Sequence, residues 1–160
     1  MRFRFRRGAP AVMTAEPHVR GAHVAVAGGV AAMVSGLPST LHALATGRDV
    51  LGATRAAGTL VPGRTDRDGP VAGVVAGVVV HVVVAAGWTA VLAAVDRRRG
   101  LGLAGGCAAG LLIAAFDLEV AGRRNTAIRA LPRLPQWLDH VVFGAVTGVL
   151  LGRRSHRPVR

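Results

Sequence analysis

Two stretches of the chain carry no charged residue at all: residues 21 to 47, between Arg20 and Arg48, and residues 69 to 95, between Asp68 and Asp96. Each runs for 27 residues. A helix rises about 1.5 Å per residue and about 20 residues cross a bilayer core, so both predict membrane-spanning helices. A third apolar run starts at Gly100 and reaches spanning length by continuing through Asp117 and Glu119 to Gly122. A fourth, from Leu134 to Gly152, takes in Asp139 and His140 in its first turns. Helices that are apolar on every side, four times over, are not those of a soluble bundle, whose helices keep a polar face. The expected fold class is therefore all-α: a four-helix transmembrane bundle with spans at about 21–46, 69–95, 100–122 and 134–152. These spans form a membrane domain over residues 20–152. Residues 1–19 read as a disordered tail, or one lying upstream of a start at Met13, and 153–160 as a basic C-terminal tail.

The polar breaks between the runs predict further elements. In RDVLGATRAAGTLVPG, Asp49 can cap a helix on which Val50, Leu51, Thr54, Ala57, Gly58 and Val61 share one face. This is a short additional helix at the membrane interface after the first span, stopped by Pro62 and Gly63. In GRRNTAIRALPRLPQW, two prolines limit helix, Pro135 suits the first turn of the last span, and Trp137 suits an interface.

Small residues recur every fourth position in each span: Gly28, Ala32, Gly36 and Thr40; Gly73 and Gly77, leading to His81; Gly102, Gly106, Gly110 and Ala114; and, after His140, Gly144, Gly148 and Gly152. Lipid supplies no hydrophobic drive between helices, so such stripes matter because they let backbones approach closely. The stripes in spans three and four are the longest. Such stripes serve contacts within one chain and between chains alike.

Composition agrees: 51% hydrophobic residues with only 4% aromatics, and a mean hydropathy of +0.44. All 20 basic residues are arginine, and the net charge of +12 sits in clusters between apolar runs, not along one soluble face. That distribution excludes nucleic acid as a partner. Cys107 is the single cysteine, which excludes an internal disulfide and a cysteine-based zinc site. With four spans both termini share a side carrying 12 arginines against 8 on the other. The positive-inside bias then places the termini in the cytoplasm of a multi-pass plasma-membrane protein. A start at Met13 would remove Arg2, Arg4, Arg6 and Arg7 and level the count.

Candidate chemistry lies in the polar residues at membrane depth. Ser35, Ser39, His42 and Thr46 follow i, i+4, i+7, i+11 spacing and share a face of span one. Pro38 lacks an N–H, so the Val34 carbonyl loses its helical donor and a kink or unwound turn is expected there. Counting along the spans brings His42, Asp117, Asp139 and His140 toward one membrane face, with His81 deeper. Ionisable groups at such depth usually face the bundle interior and mark a site. Three readings of this cluster stand open: acids pairing with loop arginines or capping helix ends, a proton or ion path, and a His-carboxylate metal site. No nucleotide, haem or nucleophile-elbow motif occurs, so no cofactor is expected.

SGLPSTLHALATGRDVLGATRAAGTLV and the later LPRLPQWLDHVVFGAVTG together resemble small four-span membrane proteins of actinobacterial genomes, uncharacterised proteins with a PSTLHAL-like segment. The resemblance spans most of residues 20 to 152 and implies a fold and a host class, but no activity. The first expectation for function is a membrane scaffold or accessory subunit working through helix contacts, with the bilayer and a second copy or another membrane protein as partners. The alternatives are a proton, ion or small-solute transporter unit built on the His/Asp cluster, and a His-carboxylate membrane metalloenzyme.

Overall fold

A computed structural model describes residues 17–63 and 69–152. Among the described residues there are seven α-helices and no strand. Span one is split into α1 (Pro17–Ser35) and α2 (Leu37–Ala45). A short helix, α3 (Gly52–Gly58), precedes the long α4 (Gly69–Arg99). Span three begins as α5 (Gly102–Ala114), continues as a π-helical segment (Ala115–Ala121) and closes with a 3₁₀ turn (Gly122–Arg124). A single turn, α6 (Thr126–Arg129), leads to α7 (Arg133–Gly152). Four helical segments are long and apolar enough to cross a membrane: Gly21–Ala45, Gly69–Arg99, Gly102–Arg124 and Arg133–Gly152. Helix α1 starts at Pro17, so part of the expected N-terminal tail is helical; residues 1–16 and 153–160 lie outside the described residues.

Helix α7 is the hub, touching α1, α2, α4 and α5, and its contact with α5 is the most extensive in the molecule. Glycine makes it so. A Cβ on Gly110 would meet the His140 carbonyl, one on Gly106 the Gly144 carbonyl, and one on Gly148 the Gly102 carbonyl. The stripes of spans three and four therefore face each other within one chain. Without side chains between them, the backbones come close enough for dispersion contacts to hold the pair where lipid gives no hydrophobic drive. Helix α1 packs on α4 by the same device, Gly28 lying against Thr89, whose hydroxyl is turned back onto the Ala85 carbonyl at 2.7 Å. Ala27, Ala31, Ala85, Leu92, Ala93, Ile113, Phe143 and Leu151 fill the interior.

The ends of the bundle follow from these pairings. His23, near the start of α1, bonds the Leu150 carbonyl near the end of α7 at 3.0 Å. That end also holds the α4–α5 turn, where Gly100 takes a positive φ of 66° and Asp96 accepts from the Leu101 amide at 2.8 Å. Large apolar side chains point outward, Met33 at 83% exposure and Leu112 at 73%, as a lipid-facing surface requires.

At the opposite end, α3 is shorter than the segment 49–61 suggests, and it lies on α4 as well as at a bundle end. The Thr54 carbonyl rests where a Cβ on Gly77 would be, and Gly58 meets the Gly73 carbonyl. Asp49 does not cap the helix; its carboxylate accepts from the Leu51 amide at 3.0 Å and pairs with Arg55, while the N-cap is Leu51. An Asx-type turn two residues upstream has taken the carboxylate that a helix starting at Val50 would have used. Asn125 caps α6 through Ile128 N–H at 3.1 Å and donates to Thr59 Oγ1 at 2.9 Å, tying the two connections together.

Candidate functional site

The break in span one creates the site. Helix α1 stops at Ser35, Gly36 forms the N-cap of α2, and Pro38 sits in the first turn of α2, where its missing N–H is tolerated. The hydroxyls of this face bond backbone on their own segment: Ser35 Oγ donates to the Ala32 carbonyl at 3.1 Å, Ser39 Oγ to the Gly36 carbonyl at 3.3 Å, and Thr46 Oγ1 to the His42 carbonyl at 2.7 Å. The Ala32 carbonyl receives a second donor, His81 Nε2, from α4 at 3.0 Å.

A helix that starts in mid-span presents first-turn amides with no intrahelical acceptor. In α2 the Ser39 amide is one of them, and it donates to Asp139 Oδ1 of α7 at 3.0 Å. The positive end of the α2 dipole faces that carboxylate, an arrangement that suits an anion. Asp139 has no arginine or histidine within salt-bridge distance among the described residues, where the ion pairs are Arg55–Asp49, Arg133–Glu119 and His140–Asp117.

Asp117 lies in the π-helical segment, a distortion frequent at functional sites because it moves a side chain off the regular helical face. Trp88 Nε1 of α4 donates to both its oxygens, at 3.1 and 3.3 Å, and His140 Nε2 stands 3.4 Å from Oδ2. Phe116 fixes the indole by an edge-to-face contact, with centroids 5.7 Å apart and planes at 80°. His140 Nδ1 lies 2.8 Å from the Gln136 carbonyl, which can only accept, so Nδ1 carries a hydrogen. A hydrogen bond between Nε2 and Asp117 then requires one further proton, held by either partner. The pair is a place where a proton can change sides.

His81, Trp88, Asp117, Asp139 and His140 all border one cleft of about 350 Å³ between α2, α3, α4, the π segment and α7. His42 is half-buried on α2 and does not border it. Glu119 turns away and pairs with Arg133 at 3.3 Å. Among the described residues no group of three or more His, Cys, Asp or Glu side chains is placed to hold a metal ion, which leaves the metalloenzyme reading without a ligand set there. Trp88 was not a candidate in the sequence, although the clue was present: an indole N–H in the middle of an apolar span needs an acceptor. The Ser39 amide had no comparable signal, because a backbone donor becomes free only once the helix is broken.

The fold and the cleft define an all-α bundle with the helix lengths and apolar surface of an integral membrane protein. Compared with known proteins, the chain matches no family model, no curated protein and no solved structure.

Proposed function

We propose that the protein is a small transport unit of the plasma membrane, moving protons or a small cation through the cleft beside Asp117, His140 and Asp139, and that it belongs with the four-span actinobacterial proteins it resembles. The observation that carries this reading is the convergence of two carboxylates and a histidine from two spans on one cavity of about 350 Å³ inside a lipid-facing bundle. Ionisable groups at that depth are costly, and they persist where they line a path or bind a charge. The split first span supports the same reading, since transporters place discontinuous helices with free helix ends at their binding sites. The scaffold alternative relied on the glycine stripes as contact surfaces, and the two longest are consumed between α5 and α7.

The test is proton flux in liposomes carrying an internal pH dye. The purified protein should collapse an imposed pH gradient well above the rate of empty liposomes, and Asp139→Asn and His140→Gln should each slow it at least about tenfold, the scale expected when a charged relay member is replaced. Proton flux at the empty-liposome rate for the unaltered protein overturns the proton path.

Orientation is proposed from the arginine distribution: cytoplasmic termini, with the cleft nearer the outer face. In a Cys107→Ser background, Arg64→Cys should react with a membrane-impermeant maleimide on intact cells. Reaction only after lysis reverses the orientation.

A further inference from the structure

The cleft is not built like a water-filled proton path alone. Most of its surface is apolar, with Leu60, Val80, Val84, Ile113 and Leu131 among the residues around it. The polar groups gather at the part formed by α7, α2 and the π segment: Asp139, Asp117 and His140, with the Trp88 ring beside them. Among the described residues no arginine or lysine borders the cleft. With one proton shared between Asp117 and His140 that pair is neutral as a unit, so with His81 neutral an ionised Asp139 gives the described border of the cleft a net charge of −1. A carboxylate offers about four acceptor sites. Asp139 uses one on the Ser39 amide, and acceptor capacity remains.

An apolar cavity of about 350 Å³ with one unbalanced carboxylate and an adjoining indole is complementary to a particular chemistry. Cavities of roughly this size hold small organic molecules, bound mainly by apolar walls and oriented by a few polar groups. The described residues offer no three-ligand group for an inorganic divalent ion. We infer that the cleft binds an organic ammonium ion with an apolar body, its nitrogen at Asp139 and its hydrocarbon against the aliphatic wall. The inference rests on the transport reading and names the class of solute carried. Ammonium supplies N–H donors to Asp139, while an aliphatic body lies along Val80, Val84 and Leu131.

The experiment uses the purified full chain in nanodiscs, with Trp137→Phe so that Trp88 is the remaining fluorophore. Three probes of matched shape are titrated: cyclohexylammonium, cyclohexanol and cyclohexanecarboxylate. Cyclohexylammonium should give a saturable change in Trp88 emission, and the carboxylate none. Asp139→Asn, which keeps an oxygen for the Ser39 amide, should weaken the ammonium response at least tenfold at unchanged melting temperature. Val84→Phe, which fills the aliphatic wall and leaves every charge in place, should weaken it as well. Equal saturable responses to all three probes overturn the cationic class yet leave a solute-binding cleft. No saturable response to any probe, in protein that still conducts protons, overturns the inference and leaves the proton path. Ammonium binding without proton flux would instead sustain the inference while the proton path fails.

Discussion

Gly144→Val should unfold the bundle at α5–α7, lowering stability by about 3 kcal/mol, the upper part of the usual range for overpacking. A Cβ on Gly144 would meet the Gly106 carbonyl oxygen as well as the nitrogen and Cα of Gly110, the latter two at 2.7 and 2.8 Å. All three are backbone atoms, so no flexible side chain can step aside. The helices must separate, and separation forfeits the dispersion contacts that hold them, because lipid tails do not drive apolar helices together. Gly29→Val is the control, since nothing lies within 4 Å of its added Cβ. Its effect should stay within about 0.5 kcal/mol, as for substitutions that touch nothing. Unfolding in mixed micelles by titrated SDS measures both. Equal losses in the two variants would show that glycine acts here through helix propensity and not through close approach.

Asp117→Ala should cost about 2 kcal/mol and alter Trp88 emission, while Asp117→Asn should cost less than half as much. Alanine removes the acceptor of Trp88 Nε1 and the partner of His140 together, leaving two polar groups unpaired in the middle of the molecule. The penalty for an unmade bond among buried groups exceeds the net value of the bond, so the double loss outweighs any one contact. Asparagine restores both contacts in neutral form: its oxygen, in the place of Oδ1, accepts from the indole, and its amide, in the place of Oδ2, can donate to His140 Nε2 when Nδ1 carries the hydrogen. The two variants thus separate hydrogen bonding from charge. Asparagine should preserve the fold and the Trp88 environment yet lack the transferable proton, so proton flux should fall with both variants. Equal stability of the alanine variant and the parent would remove Asp117 from the structural core of the site.

Much of this site was legible in the chain, for reasons that differ by residue. Asp117, Asp139 and His140 stand out because charge in a membrane-length run is expensive wherever the run folds. Pro38 stands out because a missing N–H affects any helix containing it, and the helix division falls at Gly36, two residues before it. His42 shares the polar spacing of Ser35 and Ser39 but lies beyond the cleft border, because spacing fixes a face of one helix and not which neighbour covers it. Trp88 and the Ser39 amide entered only when α4 and α7 came alongside. The π-helical turn that carries Asp117 had no sequence signature, since its register depends on what the segment packs against.

The sequence by itself determined four apolar spans and the ionisable residues Asp117, Asp139 and His140 as candidates, because the cost of burying charge and the length needed to cross a bilayer are local properties of a segment. The tertiary structure alone decided that the stripes of α5 and α7 close on each other, that α3 lies on α4, and that Asp139 meets an amide freed by a helix break 100 residues earlier in the chain. Those outcomes depend on which backbones can approach most closely, and close approach is a property of pairs of surfaces that no single segment carries.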